Sequence, residues 1–224
     1  MTSLRCHVRK YKDFLDYCER LIGKPIYDFD KDPDKPFINA AQFKKIVSLL
    51  RTKKNIILEG APGVGKTFLA RKIAYQLIGE LKDENIEMVQ FHQSYSYEDF
   101  VQGIRPSEEG GFERKNGIFF DFCSKARRSP DQQFVFIIDE INRGNISKIL
   151  GELMMLIEAD KRKKQYAIKL TYSNEDDERF FVPENVYLIG CMNTADRSLA
   201  IVDYALRRRF RFCPIKPEFN EAFI

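Results

Sequence analysis

Short apolar runs alternate along the chain with segments whose apolar residues recur every three or four positions. The runs predict buried strands at 56–58, 88–91, 134–138, 186–192 and 210–213. The periodic segments predict helices, among them one from Lys66 to Ile78 and another from Ile146 to Ile157. This alternation indicates an α/β fold, a three-layer sandwich in which helices cover both faces of a mainly parallel five-stranded sheet.

The first 36 residues differ in pattern from the rest. A helix is predicted at 11–22, and the segment 24–36, with its prolines and many charges, predicts a linker. Asn39 can cap the helix that opens the main domain, which is therefore placed at 37–215. Two further strands, at 166–172 and 180–182, are expected to form a hairpin around an acidic tip.

Composition narrows the class of protein without naming a partner. Hydrophobic residues make up 44% and charged residues 31%, so the chain is neither disordered nor fibrous. The net charge of +4 gives no argument for nucleic-acid binding. No secretory signal and no membrane-spanning run is found, which predicts a cytoplasmic protein. The five cysteines lack a CxxC pair and are interpreted as reduced thiols.

The loop after the first strand carries the most specific pattern. Residues 60–67 fit GxxxxGK[ST], in which glycines let the main-chain N–H groups turn toward phosphate oxygens at the start of a helix. Lys66 is expected to reach the β- and γ-phosphates, and Thr67 to offer its hydroxyl to Mg²⁺. The predicted nucleotide-binding residues are Gly60, Ala61, Pro62, Gly63, Val64, Gly65, Lys66, Thr67 and Phe68.

Two carboxylates follow the fully apolar run at 134–138. In open α/β sheets ligands bind at the carboxyl ends of the strands, where Asp139 and Glu140 are expected to lie. Asp139 is predicted to join Thr67 around Mg²⁺, and Glu140 to polarise the attacking water. An ordinary strand with a charged turn is the alternative, and the phosphate-binding loop favours hydrolysis over binding alone.

Two more segments have both a catalytic and a purely structural interpretation. Asn193 follows the run at 186–192, where its amide could orient water, but Asn, Thr, Asp and Ser also make turns and helix caps. The arginines at 207–209 either complement the end of a helix or reach the nucleotide of a neighbouring subunit. The basic run at 161–164 is more typical of a solvated helix end than of a DNA-facing surface.

Together these segments identify a family by resemblance. The phosphate loop, the acidic strand end and the Asn, in this order, resemble AAA+ ATPases, which are P-loop NTPases. The segment MNTADRS at 192–198 resembles the signature of McrB-type proteins, the motor subunits of modified-cytosine-dependent restriction systems. Segments at 88–100, 139–148 and 202–210 resemble the same family, so the likeness extends over roughly residues 37 to 215.

The resemblance implies a ring, with a hexamer expected, that binds nucleotide and Mg²⁺ between subunits and uses GTP rather than ATP. It implies an McrC-like partner that carries the nuclease and stimulates hydrolysis near Asn193, Asp196 and Arg197, with DNA engaged indirectly. It also favours Arg208 or Arg209 as the group acting on the neighbour's nucleotide. Residues 216–224 are expected to begin a helical lid.

Two alternative functions use the same residues. One is an ATP-hydrolysing remodeller of the MoxR-like kind, because nothing in the loop at 60–67 reads the base. The other is a fragment that binds nucleotide without hydrolysing it. The presence of Glu140 and Asn193 argues against the second, since binding alone requires neither.

Overall fold

The computed structural model describes residues 26–108, 110–195 and 204–216. Within this part of the chain the helices are α1 Ala40–Lys53, α2 Lys66–Ile78, α3 Tyr97–Phe100, α4 Ile118–Arg128, α5 Ile146–Leu150, α6 Leu153–Leu156 and α7 Tyr204–Arg209. The strands are β1 Asn55–Gly60, β2 Ile86–Gln90, β3 Gln102–Pro106, β4 Phe112–Asn116, β5 Phe134–Asp139, β6 Val186–Asn193 and β7 Arg211–Pro214. The predicted helix at 11–22 lies outside the described residues.

Five strands form one sheet in the order β2-β5-β6-β1-β7, and every neighbouring pair is parallel. All five carboxyl ends therefore meet at one edge, with β6 lying between β1 and β5. The predicted fold class is confirmed, and the sheet is entirely rather than mainly parallel. None of the described helices combines the length and the apolar character that a bilayer crossing requires.

Two apolar clusters cover the two faces of the sheet, which makes the three layers. In β1, Ile57 belongs to one cluster, and its neighbours Ile56 and Leu58 belong to the other, as the alternation of side chains along a strand dictates. On the first face Phe136 of β5 lies edge-on to Phe119 of α4, with ring centroids 5.1 Å apart. Apolar faces on both sides explain why the central strands read as continuous hydrophobic runs.

The helix that opens the predicted domain is capped as expected. Asn39 accepts a hydrogen bond from the Gln42 amide at 2.8 Å, and Phe43 on the inner face is fully buried. The segment before it also contributes to the core. Tyr27 and Phe29 are buried, and Phe29 stacks on Phe43 at 4.2 Å between ring centroids. The domain boundary at residue 37 stays a prediction, but part of the predicted linker packs on the domain.

Two element predictions between β5 and β6 are wrong in detail. The helix predicted from Ile146 to Ile157 is split into α5 and α6, because Gly151 adopts φ 49° and ψ −128°, which a helix cannot contain. The predicted hairpin at 166–182 is reduced to one antiparallel bridge between Ile168 and Phe180. In the basic run at 161–164, Arg162 is buried rather than solvated, so neither interpretation of the run applies to it.

A small antiparallel hairpin, β3–β4, is inserted between α3 and α4. Strand β4 is exposed along its whole length, including Phe112 at 78% exposure. Arg114 joins the hairpin to the segment before β6 through an ion pair with Asp177. The sequence patterns gave no prediction for this element.

Candidate active site

The loop between β1 and α2 wraps around the carboxyl edge of the sheet. Gly63 and Gly65 have φ of 80° and 75°, a conformation that side chains with a Cβ rarely adopt. A Cβ at either glycine would meet nothing within 4 Å, so the concave side of the loop is open. Gly60 is required for a different reason, since a Cβ there would lie 2.6 Å from the Ile215 carbonyl oxygen. Such a loop, followed at once by a helix, fits a triphosphate.

Lys66, the first residue of α2, lies across the mouth of this loop. Its Nζ donates to the carbonyl oxygens of Gly60 at 3.1 Å and Ala61 at 2.7 Å. The ammonium group is thereby held beside the concave surface. Phe68 is 45% exposed on α2 and contacts Lys72, whose Nζ lies 5.1 Å from the ring centroid.

Thr67 and Asp139 come together from different elements. The Thr67 hydroxyl lies 3.2 Å from Asp139 Oδ1, which links the start of α2 to the end of β5. A hydroxyl and a carboxylate are the hard oxygen ligands that Mg²⁺ prefers, with phosphate oxygens and water completing its shell. Across the described ranges no cluster of three or more His, Cys, Asp or Glu side chains could hold a metal ion. The pair fits the predicted cation.

Glu140 has the left-handed conformation, with φ 49° and ψ 43°. This region is unusual for a residue with a side chain, and such strain clusters at functional sites. Oε2 of Glu140 is buried and lies 3.3 Å from Arg143 Nε, without the geometry of a hydrogen bond. The Glu140 carboxylate thus stands in a strained turn at the residue that directly follows Asp139.

Asn193 ends β6 opposite Gly60, the last residue of β1. Its Oδ1 accepts from the Ala195 amide at 3.1 Å, and its main-chain oxygen accepts from Asn142 Nδ2 at 3.3 Å. The structure therefore brings Asn193 beside the phosphate loop, and the side chain also makes the local turn that was its structural interpretation. Both interpretations thus agree with its position.

The three arginines of α7 have different surroundings. Arg208 is exposed, as is Arg207, which lies over the Phe212 ring at 5.3 Å. Arg209 is half-buried, and its Nη2 pairs with Glu158 Oε1 at 2.9 Å. All three line an open cavity of about 500 Å³ together with Glu158, Asp160 and Phe210. Arg208 thus differs from Arg209 in facing solvent.

Comparison with known proteins identifies the family. Residues 55–210 match the model of the AAA domain, dynein-related subfamily, which covers more than half of the chain. The chain belongs to the AAA family. This membership supports the predicted nucleoside-triphosphate hydrolase activity, because the matched range contains the loop, Asp139, Glu140 and Asn193.

The relatives are restriction proteins. The chain is 60% identical over 184 residues to the type IV methyl-directed restriction enzyme EcoKMcrB subunit of Escherichia coli strain K12, which confirms the McrB-type resemblance. That match covers 82% of this chain and 40% of the relative. The type II restriction enzyme BsuMI component YdiS of Bacillus subtilis strain 168 is 27% identical over 74% of this chain and 58% of its own.

Among solved structures, NtrX from Brucella abortus is similar at a TM-score of 0.49 and 13% identity, over 96% of this chain and 43% of that one. The chain spans less than two thirds of the curated relatives that it matches.

Some candidate positions have no role predicted from the residues alone, and others lie outside the described residues. Asp196 and Arg197 belong to the second group. Asn142, whose Oδ1 is buried without a hydrogen bond, and Arg143 belong to the segment 139–148, which the sequence singles out only through the family resemblance. Their position after Asp139 and Glu140 was the available signal, because side chains in the turn after a buried strand line the same edge.

Proposed function

We propose that this chain is the nucleotide-hydrolysing motor subunit of a restriction system of the McrBC kind, using GTP with Mg²⁺. The observation that carries the proposal is the contact of Thr67 with Asp139 at 3.2 Å beside the phosphate loop. Two hard oxygen ligands at the end of a positively polarised cradle are suited to a triphosphate with its cation, and to few other ligands. The 60% identity to a restriction subunit supports the setting.

In this proposal each residue has one task. The amides of the loop at 60–67 and Lys66 bind the phosphates and offset their charge. Thr67 and Asp139 hold Mg²⁺, which when bound neutralises charge on the phosphate oxygens. Glu140 accepts a proton from the attacking water, and Asn193 orients that water. The short chain distance between Asp139 and Glu140 keeps the cation and the base on one turn.

The site is proposed to be completed by a neighbouring subunit in a ring, with six subunits expected. Arg208 is the better candidate for the group that acts across the interface, since Arg209 is engaged by Glu158 of its own chain. Groups of this kind raise hydrolysis rates by ~10³–10⁵. An McrC-like nuclease subunit is the proposed partner, stimulating hydrolysis near Asn193, Asp196 and Arg197, and DNA is engaged through the assembled complex.

The test is turnover of GTP and ATP, measured side by side with the nuclease partner present. Glu140→Gln should bind nucleotide but lose about 10²–10⁴-fold in turnover, the range for removal of a general base. Glu184→Gln, at an exposed loop position, is the matched control and should behave as the wild type. Unchanged turnover in Glu140→Gln would sink the proposal, and preference for ATP would correct the fuel.

Arg208 and Arg209 are separated by combining turnover with stability. Arg208→Ala should lose turnover without loss of thermal stability, because its side chain is exposed. Arg209→Ala should lower both, since it removes the contact with Glu158. Mixing Arg208→Ala with Lys66→Ala should restore part of the activity, because one interface then combines an intact loop with an intact arginine. No restoration would argue against action between subunits.

A further inference from the structure

At the edge of the sheet opposite the phosphate loop, one buried amide joins three segments of the chain. Asn55, the first residue of β1, is fully buried. Its Nδ2 donates to the carbonyl oxygen of Ile157 at 2.8 Å and to that of Arg209 at 3.0 Å. Asn55 therefore binds the last residue of α7 through the main chain, independently of the Arg209 side chain.

Arg162 fixes the orientation of that amide. Its guanidinium is fully buried and donates to Asn55 Oδ1, to the carbonyl oxygen of Val186, and to that of Ile157 at 3.0 Å. No carboxylate in the described part of the chain forms an ion pair with it. Burial lowers the pKa of Arg162 to about 10, so the group remains charged near neutral pH. A buried charge without a counter-ion needs all these acceptors, which leaves the Asn55 amide a single orientation.

The side chain of Arg209 is held as well as its carbonyl. Nη2 pairs with Glu158 Oε1 at 2.9 Å, and Nε donates to the carbonyl oxygen of Met154 at 2.5 Å. The carbonyl group of Arg209 is thus bound to Asn55, and its side chain to α6 and to Glu158 just after that helix. Arg208 is the preceding residue, so its main chain is anchored through Arg209, while its side chain is exposed.

We propose that Asn55, Arg162 and Glu158 are positioning residues for the arginine that acts on the neighbouring subunit's nucleotide. This inference rests on the proposed action of Arg208 between subunits. We name the three residues the arginine clamp. The clamp begins at Asn55, on the strand whose other end, Gly60, opens the phosphate loop. One strand therefore sets the subunit's own nucleotide site and its contribution to the next subunit's site.

The test removes the amide donor while keeping the acceptor. Asn55→Asp retains an oxygen for Arg162 and pairs its charge, but the carbonyl oxygen of Arg209 loses the hydrogen bond from Asn55, and that of Ile157 keeps only the one from Arg162. A misplacement of ~1 Å at a catalytic group costs ~10²-fold, so turnover should fall by about 10- to 100-fold. Nucleotide affinity should stay at the wild-type value, because the phosphate loop lies at the other end of β1.

Mixing experiments distinguish a positioning role from general damage. Mixed with Lys66→Ala, the Asn55→Asp subunit supplies an intact phosphate loop and receives an intact arginine, so turnover should recover in part. Mixed with Arg208→Ala, every interface has a defective arginine, and turnover should stay low. Asn185→Asp is the matched control. That buried amide donates to the carbonyl oxygens of Ala126, Ser129 and Gln132 and does not touch Arg209, so wild-type turnover is expected.

The outcomes separate this inference from the proposed function. If Lys66→Ala and Arg208→Ala fail to complement each other, action between subunits is refuted and the inference is refuted with it. If that pair complements while Asn55→Asp recovers with both partners or with neither, only the inference is overturned. Should Asn55→Asp not fold, Glu158→Gln, at a half-buried position, replaces it. The same pattern with a smaller loss is expected, and wild-type turnover would overturn the clamp.

Discussion

The left-handed turn at Glu140 leads to a prediction in which two variants with the same loss of activity differ in stability. With φ 49° and ψ 43°, the Cβ of this residue crowds the following carbonyl group. Glu140→Gly removes the carboxylate and the Cβ, whereas Glu140→Ala removes the carboxylate alone. Both variants should lose hydrolysis, and they should differ in stability because only one of them keeps the strain.

The expected difference follows from two opposing contributions. A residue with a Cβ costs about 1–2 kcal/mol in the left-handed region, a cost that glycine does not have. Glycine loses more conformational entropy on folding, which costs about 0.5–1 kcal/mol relative to alanine. Glu140→Gly should therefore be more stable than Glu140→Ala by about 0.5–1 kcal/mol. For a chain of this size, such a difference raises Tm by about 1–4 °C.

Thermal and urea unfolding of the two variants measure this difference directly. Lys44, exposed in α1, provides the control pair, because glycine there should be less stable than alanine by about 1 kcal/mol. The sign of the glycine–alanine difference must thus reverse between the two positions. If Glu140→Ala is as stable as Glu140→Gly, the turn is not strained and the reasoning is refuted.

Three further predictions concern the loop, the acid side of the stability curve and the thiols. Gly60→Ala should weaken nucleotide binding and cost about 1–3 kcal/mol on unfolding, because its Cβ would meet the Ile215 carbonyl oxygen at 2.6 Å; wild-type affinity and melting would contradict this. Burial alone would raise the pKa of Asp32, but hydrogen bonds, chiefly from Lys72 at 2.6 Å, hold it below its usual range. The Asp32–Lys72 pair should thus stabilise the fold above pH ~3.9 and lose that contribution as the pH falls through the folded pKa of Asp32. In a plot of unfolding free energy against pH, Lys72→Met should therefore make the acid limb flatter. Burial raises the pKa of Cys123 to about 12, so labelling resolved by mass spectrometry should find this thiol reactive only after denaturation.

Elements with a simple apolar pattern were predictable, and so was the end of the sheet at which the candidate site residues lie. Strands β5 and β6 are buried on both faces, so their sequences read as uninterrupted apolar runs, and polar residues mark where each strand ends. Because parallel strands end at one edge, Asp139 and Asn193 could be placed near the phosphate loop without a structure. The glycines of the pattern at 60–67 predicted the phosphate-binding loop itself.

Other features depend on contacts that no local pattern contains. Strand β4 has no buried residue, so its sequence lacks the alternation of apolar and polar residues that predicts a strand. Its pairing with β3 is set by the segments around it. Arg162 reads as part of a solvated basic run, yet its partners lie in three separate segments. The break between α5 and α6 occurs at one residue, Gly151, while the helical spacing of apolar residues continues across it. Long-range packing decides each of these cases.

The order of strands also determines when the phosphate loop can acquire its shape during synthesis. Strand β1 has β6 and β7 as its neighbours, and both lie far downstream of β1 in the sequence. Until residues 186–214 have left the ribosome, β1 has neither partner, and the hydrogen bond from the Thr194 amide to Gly60 cannot form. A nascent chain that stops earlier therefore exposes an unpaired apolar strand, the kind of species that chaperones bind. The surroundings of the phosphate loop are thus completed late in synthesis, since β1 gains its neighbours only after residues 186–214 have been made.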